Sequence, residues 1–213
     1  MTTSQQRART GASAGAVLAD YRKFAARAVR HPGQVGAVAP SSPHLAREMA
    51  AIVPSSGTEP VVVELGPGTG ALSRGVRERL PSGGRHLAVE IDDGMVEHLR
   101  TELPWLQVVQ GDAAELRTLL SDAGIESVDA VISGLPWSIF PGEQQRAILG
   151  EIGQVLAPGG AFTTFAYVHA LGMSGARQFR QRLDDAFDEV LTSRTVWRNV
   201  PPARVYTCRR PKG

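Results

Sequence analysis

The stretch 61–70, VVVELGPGTG, decides how the rest of the chain is read. Val61, Val62 and Val63 are β-branched, and three in succession read as a buried strand that Glu64 and Leu65 end. Gly66-Pro67-Gly68-Thr69-Gly70 follows as a tight loop, and Ala71-Leu72-Ser73-Arg74 opens a helix. Glycines without Cβ let the backbone approach a ligand closely, and the free N–H groups of a helix start attract an anion. Strand, glycine loop and helix in this order are the mononucleotide-type turn of an α/β sheet.

Two ligands compete for such a turn. Gly66, Gly68 and Ala71 satisfy the loose dinucleotide pattern G-x-G-x-x-G/A. Glu64, directly before the loop, argues against a pyrophosphate, which it would repel. It favours a cationic ligand, and S-adenosylmethionine carries both an ammonium and a sulfonium. A purely structural turn with an exposed Glu is the third reading. Glu90, 24 positions after Gly66, ends the next predicted strand, His86 to Glu90. That spacing suits a carboxylate taking both ribose hydroxyls, a geometry that an ionised two-oxygen acceptor satisfies well.

The 213 residues carry a net charge of +2 and one cysteine, Cys208. One domain is expected, without an internal disulfide or a cysteine metal cluster, in a reducing compartment. No metal-ligand spacing occurs. There is no apolar signal core and no membrane-spanning run, so a cytoplasmic or peripheral protein is expected. The charge is uneven. Arg7, Arg9, Arg22, Lys23, Arg27, Arg30 and Arg47 face only Asp20 and Glu48 within residues 1–50, and residues 194–213 hold six bases and no acid. Basic ends around an acidic middle suit an anionic partner surface, lipid or nucleic acid.

From Ala12 to Arg30 the spacing predicts a helix with Val17, Leu18, Tyr21, Phe24, Ala25 and Ala28 on one face and the bases opposite. Such a helix packs on the core, lies in a membrane interface, or does both in turn as a lid. Ser42 reads as an N-cap with Pro43 in the first helical turn, before a buried stripe of Leu45, Met49, Ile52 and Val53. Residues 1–54 are thus read as a basic helix and lid helices, and 55–213 as the core. Further strands are expected at Leu106–Gln110, Val128–Ser133 and Ala161–Val168. Two long ones, Phe187–Asn199 and Ala203–Arg209, are expected to be joined by NVPPA. Helices are expected between strands, one with Ser174 as a cap. The pattern predicts a Rossmann-like, seven-stranded, mostly parallel doubly wound sheet with an antiparallel C-terminal hairpin. Asp112 follows the third strand, either capping the next helix or facing the ligand.

Gly134-Leu135-Pro136-Trp137 follows the fourth strand, where acceptors bind in such sheets. Adenine-amine methyltransferases carry Asn or Asp first in this motif, to hold a planar NH₂. Gly134 offers no such acceptor, which disfavours a flipped base. An ammonium loses nothing by this, and Trp137 could meet it through a cation–π contact or simply fill the core.

HPGQVGAVAPSSPHLAREMA at 31–50, with VVVELGPGTG, VVQGDAAEL, DAVISGLPW, LAPGG and WRNVPPARVY, resembles the bacterial phospholipid N-methyltransferases. These class I S-adenosylmethionine-dependent enzymes convert phosphatidylethanolamine stepwise toward phosphatidylcholine. The likeness covers about residues 15–210, and the chain is similar, more distantly, to ribosomal RNA adenine dimethyltransferases. The resemblance implies cofactor contacts from Glu64, Gly66, Pro67, Gly68, Thr69, Gly70, Glu90, Ile91, Asp112, Ala113, Ser133 and Gly134. It implies acceptor contacts from Ser41, Ser42, Leu135, Pro136 and Trp137, and membrane contact from Arg22, Lys23, Phe24, Arg27 and Arg30. The lipid ammonium must lose a proton before in-line attack on the methyl, and Tyr21, Tyr167 and His169 are candidate acceptors or orienters. Catalysis would come from positioning and exclusion of water. An RNA or small-molecule methyltransferase and a non-catalytic cofactor-binding protein are the alternatives.

Overall fold

The computed structural model describes residues 40–55 and 59–212. The expectations for the Ala12–Arg30 helix, including Tyr21 and the membrane-binding residues Arg22, Lys23, Phe24, Arg27 and Arg30, lie outside the described residues.

Seven strands form one sheet: β1 (Val61–Leu65), β2 (Arg85–Glu90), β3 (Gln107–Gln110), β4 (Val128–Ser133), β5 (Leu156–Tyr167), β6 (Phe187–Thr192) and β7 (Ala203–Pro211). Their order is β3-β2-β1-β4-β5-β7-β6. All neighbours run parallel except at β7, which is antiparallel to both β5 and β6. This is the expected architecture, and the order reverses beside β1, where open α/β sheets bind ligands.

Six α-helices cover the two faces: α1 (Pro43–Met49), α2 (Ala71–Arg79), α3 (Asp93–Glu102), α4 (Leu116–Asp122), α5 (Gly142–Val155) and α6 (Ser174–Ala186). Side chains alternate along a strand, so Val62 and Ile132 pack beneath α1 and α2 with Leu45, Met49 and Val76. Val63, Leu65 and Val131 face the other way, among Leu116 of α4, Ile148 of α5 and Phe179 of α6. A Cβ on Gly75 of α2 would meet the Ala46 backbone at 2.8 Å, so the missing side chain lets α1 and α2 touch. Ser42 caps α1 as expected, its hydroxyl accepting from the Leu45 N–H at 3.2 Å.

Three boundaries differ from the sequence reading. β5 begins at Leu156, because Leu156 pairs with Val128 across a register shift that carries Pro158-Gly159-Gly160 along. β6 ends at Thr192; beyond it Ser193 still bonds to Val205, and Val196 makes an isolated bridge to Ala203. Ser174 begins α6 but does not cap it, since the extended residue before the helix is Met173 and no side chain caps the end.

Candidate active site

The glycine loop turns through three left-handed glycines, Gly66 (φ 66°), Gly68 (φ 54°) and Gly70 (φ 75°). A Cβ on Gly70 would strike Leu103 at 2.3 Å, so that glycine seats the loop on α3. A Cβ on Gly68 would meet nothing within 4 Å, which leaves open space over its backbone. Glu90 holds the loop from the side. Its Oε1 accepts from the N–H groups of Ile91 (2.9 Å) and Asp92 (3.0 Å), and its Oε2 from Gly68 at 3.4 Å. Burial pushes its pKa above the usual range, and the three N–H donors pull it part of the way back.

A cleft opens beside this carboxylate. It is lined by Gly66, Glu90, Ile91, Asp112, Ala113 and Leu135, all expected from the sequence, together with Val89, Gly111, Phe140, Gln144 and Ile148, which were not. Pro67 is buried in the loop and Thr69 half-buried beside it. Asp112 also accepts from the Ala114 N–H at 2.9 Å, so it caps the following turn while lining the cleft. Val89 comes from β2, Gly111 from the turn after β3, Phe140 from the loop after β4, and Gln144 and Ile148 from α5. Only Gly111 falls in a motif, VVQGDAAEL; topology brings the others there.

Two expected ligand contacts are turned inward. Glu64 shares the Val62 face of β1, and α2 seals it completely. Its Oε2 accepts from Ser73 Oγ at 2.7 Å, and His86 Nε2 approaches to 3.1 Å without hydrogen-bond alignment. The reading of an exposed Glu at a bare turn is thereby corrected; Glu64 lies under the loop, with its Oε1 buried and without a hydrogen-bond partner. Ser133 is also fully buried. Its hydroxyl accepts from the Leu135 N–H at 3.2 Å and the Trp137 indole at 3.1 Å, so it shapes the next loop instead of facing the cleft.

Gly134 has a role that sequence reasoning missed. A Cβ there would lie 2.7 Å from the Gly66 carbonyl oxygen. The acceptor loop and the cofactor loop therefore touch backbone to backbone, and position 134 has no room for the Asn of base-modifying enzymes.

Trp137 does not offer a face to an ammonium. It is 3% exposed, stacked on Phe179 at 4.7 Å and edge-on to Phe140 and Phe162. The core-filling reading holds, because three Phe rings and a satisfied indole N–H complete its surroundings. Tyr167 packs with the α1–α2 side of the sheet, across from Trp137. Its hydroxyl is buried without a partner, and burial pushes its pKa up to about 12. Burial thus favours the neutral phenol, which suits the orienting role expected for Tyr167 better than that of proton acceptor. His169 stands exposed, its ring parallel to Tyr167 at 5.7 Å.

Two amides organise the acceptor side. Gln145 donates to the carbonyls of Trp137 (2.6 Å) and Phe140 (2.9 Å) and accepts from Arg182 at 2.9 Å. Buried Asn199 accepts from the Ser42 N–H at 2.8 Å and donates to the Pro201 carbonyl at 2.7 Å. It ties Ser42, at the end of the GAVAPSS motif, to the WRNVPPARVY segment, carrying Ser41, Ser42 and the β6–β7 loop to one place. Pro136 lies in the Gln145-held loop between Leu135 and Trp137. Neither amide follows from periodicity.

A glycine loop on a parallel sheet, a carboxylate at the end of the second strand and an acid after the third define a class I S-adenosylmethionine-dependent methyltransferase. Residues 62–160 match the family described as "Methyltransferase domain". A TehB-like SAM-dependent methyltransferase from Corynebacterium glutamicum shares the fold, with a TM-score of 0.57 at 13% identity over 91% of this chain and all of that one. The chain is 35% identical over 195 residues to the ornithine lipid N-methyltransferase of Singulisphaera acidiphila, covering 90% of this chain and 97% of that protein, and it belongs to the same family of methyltransferases. Ribosomal RNA small subunit methyltransferase A of Acidithiobacillus ferrooxidans is 36% identical over 95 residues, 44% of this chain and 33% of that protein.

The cleft fits the cofactor. There is open space over Gly68, and buried Glu90 and half-buried Asp112 lie beside it. Among the described residues no cluster of His, Cys, Asp or Glu could hold a metal ion, and no helix is long and apolar enough to cross a membrane.

Proposed function

We propose that the protein transfers methyl groups from S-adenosylmethionine to the amine of a membrane lipid, phosphatidylethanolamine and its methylated derivatives, leading toward phosphatidylcholine. The observation that carries a lipid amine is the likeness to a lipid N-methyltransferase over 90% of this chain and 97% of that protein. The ribosomal RNA enzyme matches over less than half the chain, and Gly134 leaves no space for a base-holding Asn. Ornithine lipid is the second acceptor, favoured by the name of that same relative.

The bound cofactor supplies an electrophilic methyl on a sulfonium. Glu90 binds the ribose hydroxyls and Asp112 the adenine amine, while Gly66, Gly68 and Gly70 let the chain pass close to the methionine tail. Glu64 acts from beneath the loop, as a carboxylate that disfavours a pyrophosphate above it. Leu135 and Phe140 wall the cleft and exclude water from the attacking amine. Ser41 and Ser42 border the lipid headgroup. His169, at the exposed end of β5, takes the ammonium proton. The basic segment 12–30 holds the enzyme on the anionic inner face of the cell membrane as a peripheral protein.

Purified protein with labelled cofactor is incubated with phosphatidylethanolamine vesicles, ornithine lipid vesicles or ribosomal RNA. Label in phosphatidylethanolamine is expected. Label confined to ornithine lipid moves the acceptor, label in RNA alone rejects a lipid acceptor, and cofactor binding without transfer to any of them identifies a non-catalytic protein.

A further inference from the structure

Five large hydrophobic side chains stand exposed among the described residues: Ile139 (55%), Met173 (61%), Leu191 (50%), Trp197 (74%) and Val200 (72%). All five lie toward one end of the sheet. Ile139 follows β4, and Met173 follows β5. Leu191 is one residue from the end of β6, which runs parallel to β5 because both are antiparallel to β7. Trp197 and Val200 lie in the loop from β6 to β7. This is the end at which the cleft opens. Apolar residues scattered by chance would occupy both ends of the sheet.

The loops that carry four of them form one surface. The Val168 N–H donates to the Pro202 carbonyl at 2.9 Å, joining the loop after β5 to the β6–β7 loop. A Cβ on Gly175 would meet the Ser138 carbonyl oxygen at 2.7 Å, so the chain after β5 also rests on the loop after β4. Asn199 fixes the third loop to the start of α1. Trp197 and Val200 are therefore held outward by a buried amide between them in sequence.

Charge selects the partner. Residues 134–142, 168–173 and 193–202 contain no acid, and Arg194 and Arg198 are exposed between and beside the apolar residues. At the opposite end charges of both signs are exposed, Glu59, Asp122, Glu126 and Asp188 together with Arg85, Arg209, Arg210 and Lys212. Exposed Glu143, in the first turn of α5, is the acid nearest in sequence to these loops; loops that carry apolar side chains and guanidinium groups without a carboxylate of their own are complementary to an anionic bilayer. Tryptophan, apolar in body with one polar N–H, suits the headgroup boundary.

We infer that the acceptor end of the sheet is itself a membrane-docking face, with Trp197 and Val200 inserted at the interface, Ile139 and Met173 beside them, and Arg194 and Arg198 on anionic headgroups. The assignment rests on the lipid reading above and adds a second contact, apart from residues 1–39. It sets the cleft mouth against the bilayer, so a lipid amine enters without leaving the membrane.

Binding of the full chain is measured on vesicles of phosphatidylcholine and phosphatidylglycerol, which hold no methyl acceptor. The W197D/V200D variant changes two side chains that touch little of the core. Its partitioning is expected to fall by about tenfold or more. R194E/R198E is expected to lose affinity for these vesicles and to lose none for pure phosphatidylcholine. As a second readout, lipids brominated in the acyl chain are expected to quench wild-type fluorescence much more than that of W197F. Wild-type partitioning by W197D/V200D, or equal quenching of W197F, overturns the docking face and leaves binding to another segment, residues 1–39 included. Vesicle binding through Trp197 without methylation of any lipid upholds the docking face while removing the acceptor assignment. Lipid methylation with binding indifferent to both double variants does the reverse.

Discussion

The carboxyl end of the sheet has two halves built by different rules. Over β1, β2 and β3 the loops carry Asp92, Asp93, Asp112 and Glu115, and carboxylates are tied to backbone N–H groups, as at Glu90 and Asp112. Over β4, β5, β7 and β6 the connecting loops hold no acid, and two side-chain amides, Gln145 and Asn199, fix apolar segments. A small cofactor of fixed shape is met by directional hydrogen bonds. The lipid surface proposed for the other half would be met by area and positive charge. The halves meet where Gly134 lies against Gly66.

Trp137→Ala tests the apolar half most strongly. Removing a buried aromatic that touches three Phe rings is expected to cost about 3–5 kcal/mol of stability, read as a lower denaturant midpoint. Trp137→Phe is expected to keep substantial activity, since no cation–π contact is lost; abolished turnover in a folded Trp137→Phe protein would return the indole to the acceptor site.

Glu90→Gln tests the carboxylate half. Two charge-assisted hydrogen bonds at about 1.5–3 kcal/mol each put the expected loss of S-adenosylhomocysteine affinity at roughly 10²- to 10⁴-fold, measured by calorimetry. Because its folded pKa is raised above 4.5, the burial of Glu90 is least costly below that value, and this advantage is lost as pH rises through the raised value. Glu90→Gln is therefore expected to hold or gain stability at neutral pH while binding fails. In the wild type, affinity is expected to fall on acidification before ordinary glutamates titrate.

At the junction, Gly134→Asn is expected to destabilise by about 1–3 kcal/mol through overpacking and to weaken cofactor affinity as well, since the displaced backbone is the cofactor loop. Unchanged affinity would separate the two halves. Asn199→Ala is expected to have the smallest effect, about 1 kcal/mol per lost hydrogen bond, with vesicle activity falling more than activity on detergent-dispersed lipid.

The cofactor half was legible in the sequence because its chemistry is local. Val61–Leu65, the glycines and Glu90 lie on consecutive elements, and strand β4 matches the reading at Val128–Ser133. What failed depends on tertiary cover. Glu64 was read at a strand end, but which face α2 would seal is decided by packing. Trp137 was read beside a Gly-Leu-Pro motif that says nothing of Phe179, 42 positions later. Thr192, Thr195 and Val196 look like continued strand. Yet Ser193 pairs with Val205 through both its backbone N–H and its hydroxyl, and the chain then turns out toward Trp197. The Ser42–Asn199 bond spans 157 positions, beyond any local pattern.

The near-contact of residue 134 with the Gly66 carbonyl also constrains retargeting of the enzyme. Turning the site toward a nucleobase by installing an amide at 134 is not a single-site change, because the new side chain would occupy ground held by the cofactor loop. Redesign of acceptor choice has to begin at residue 66 and carry both loops together.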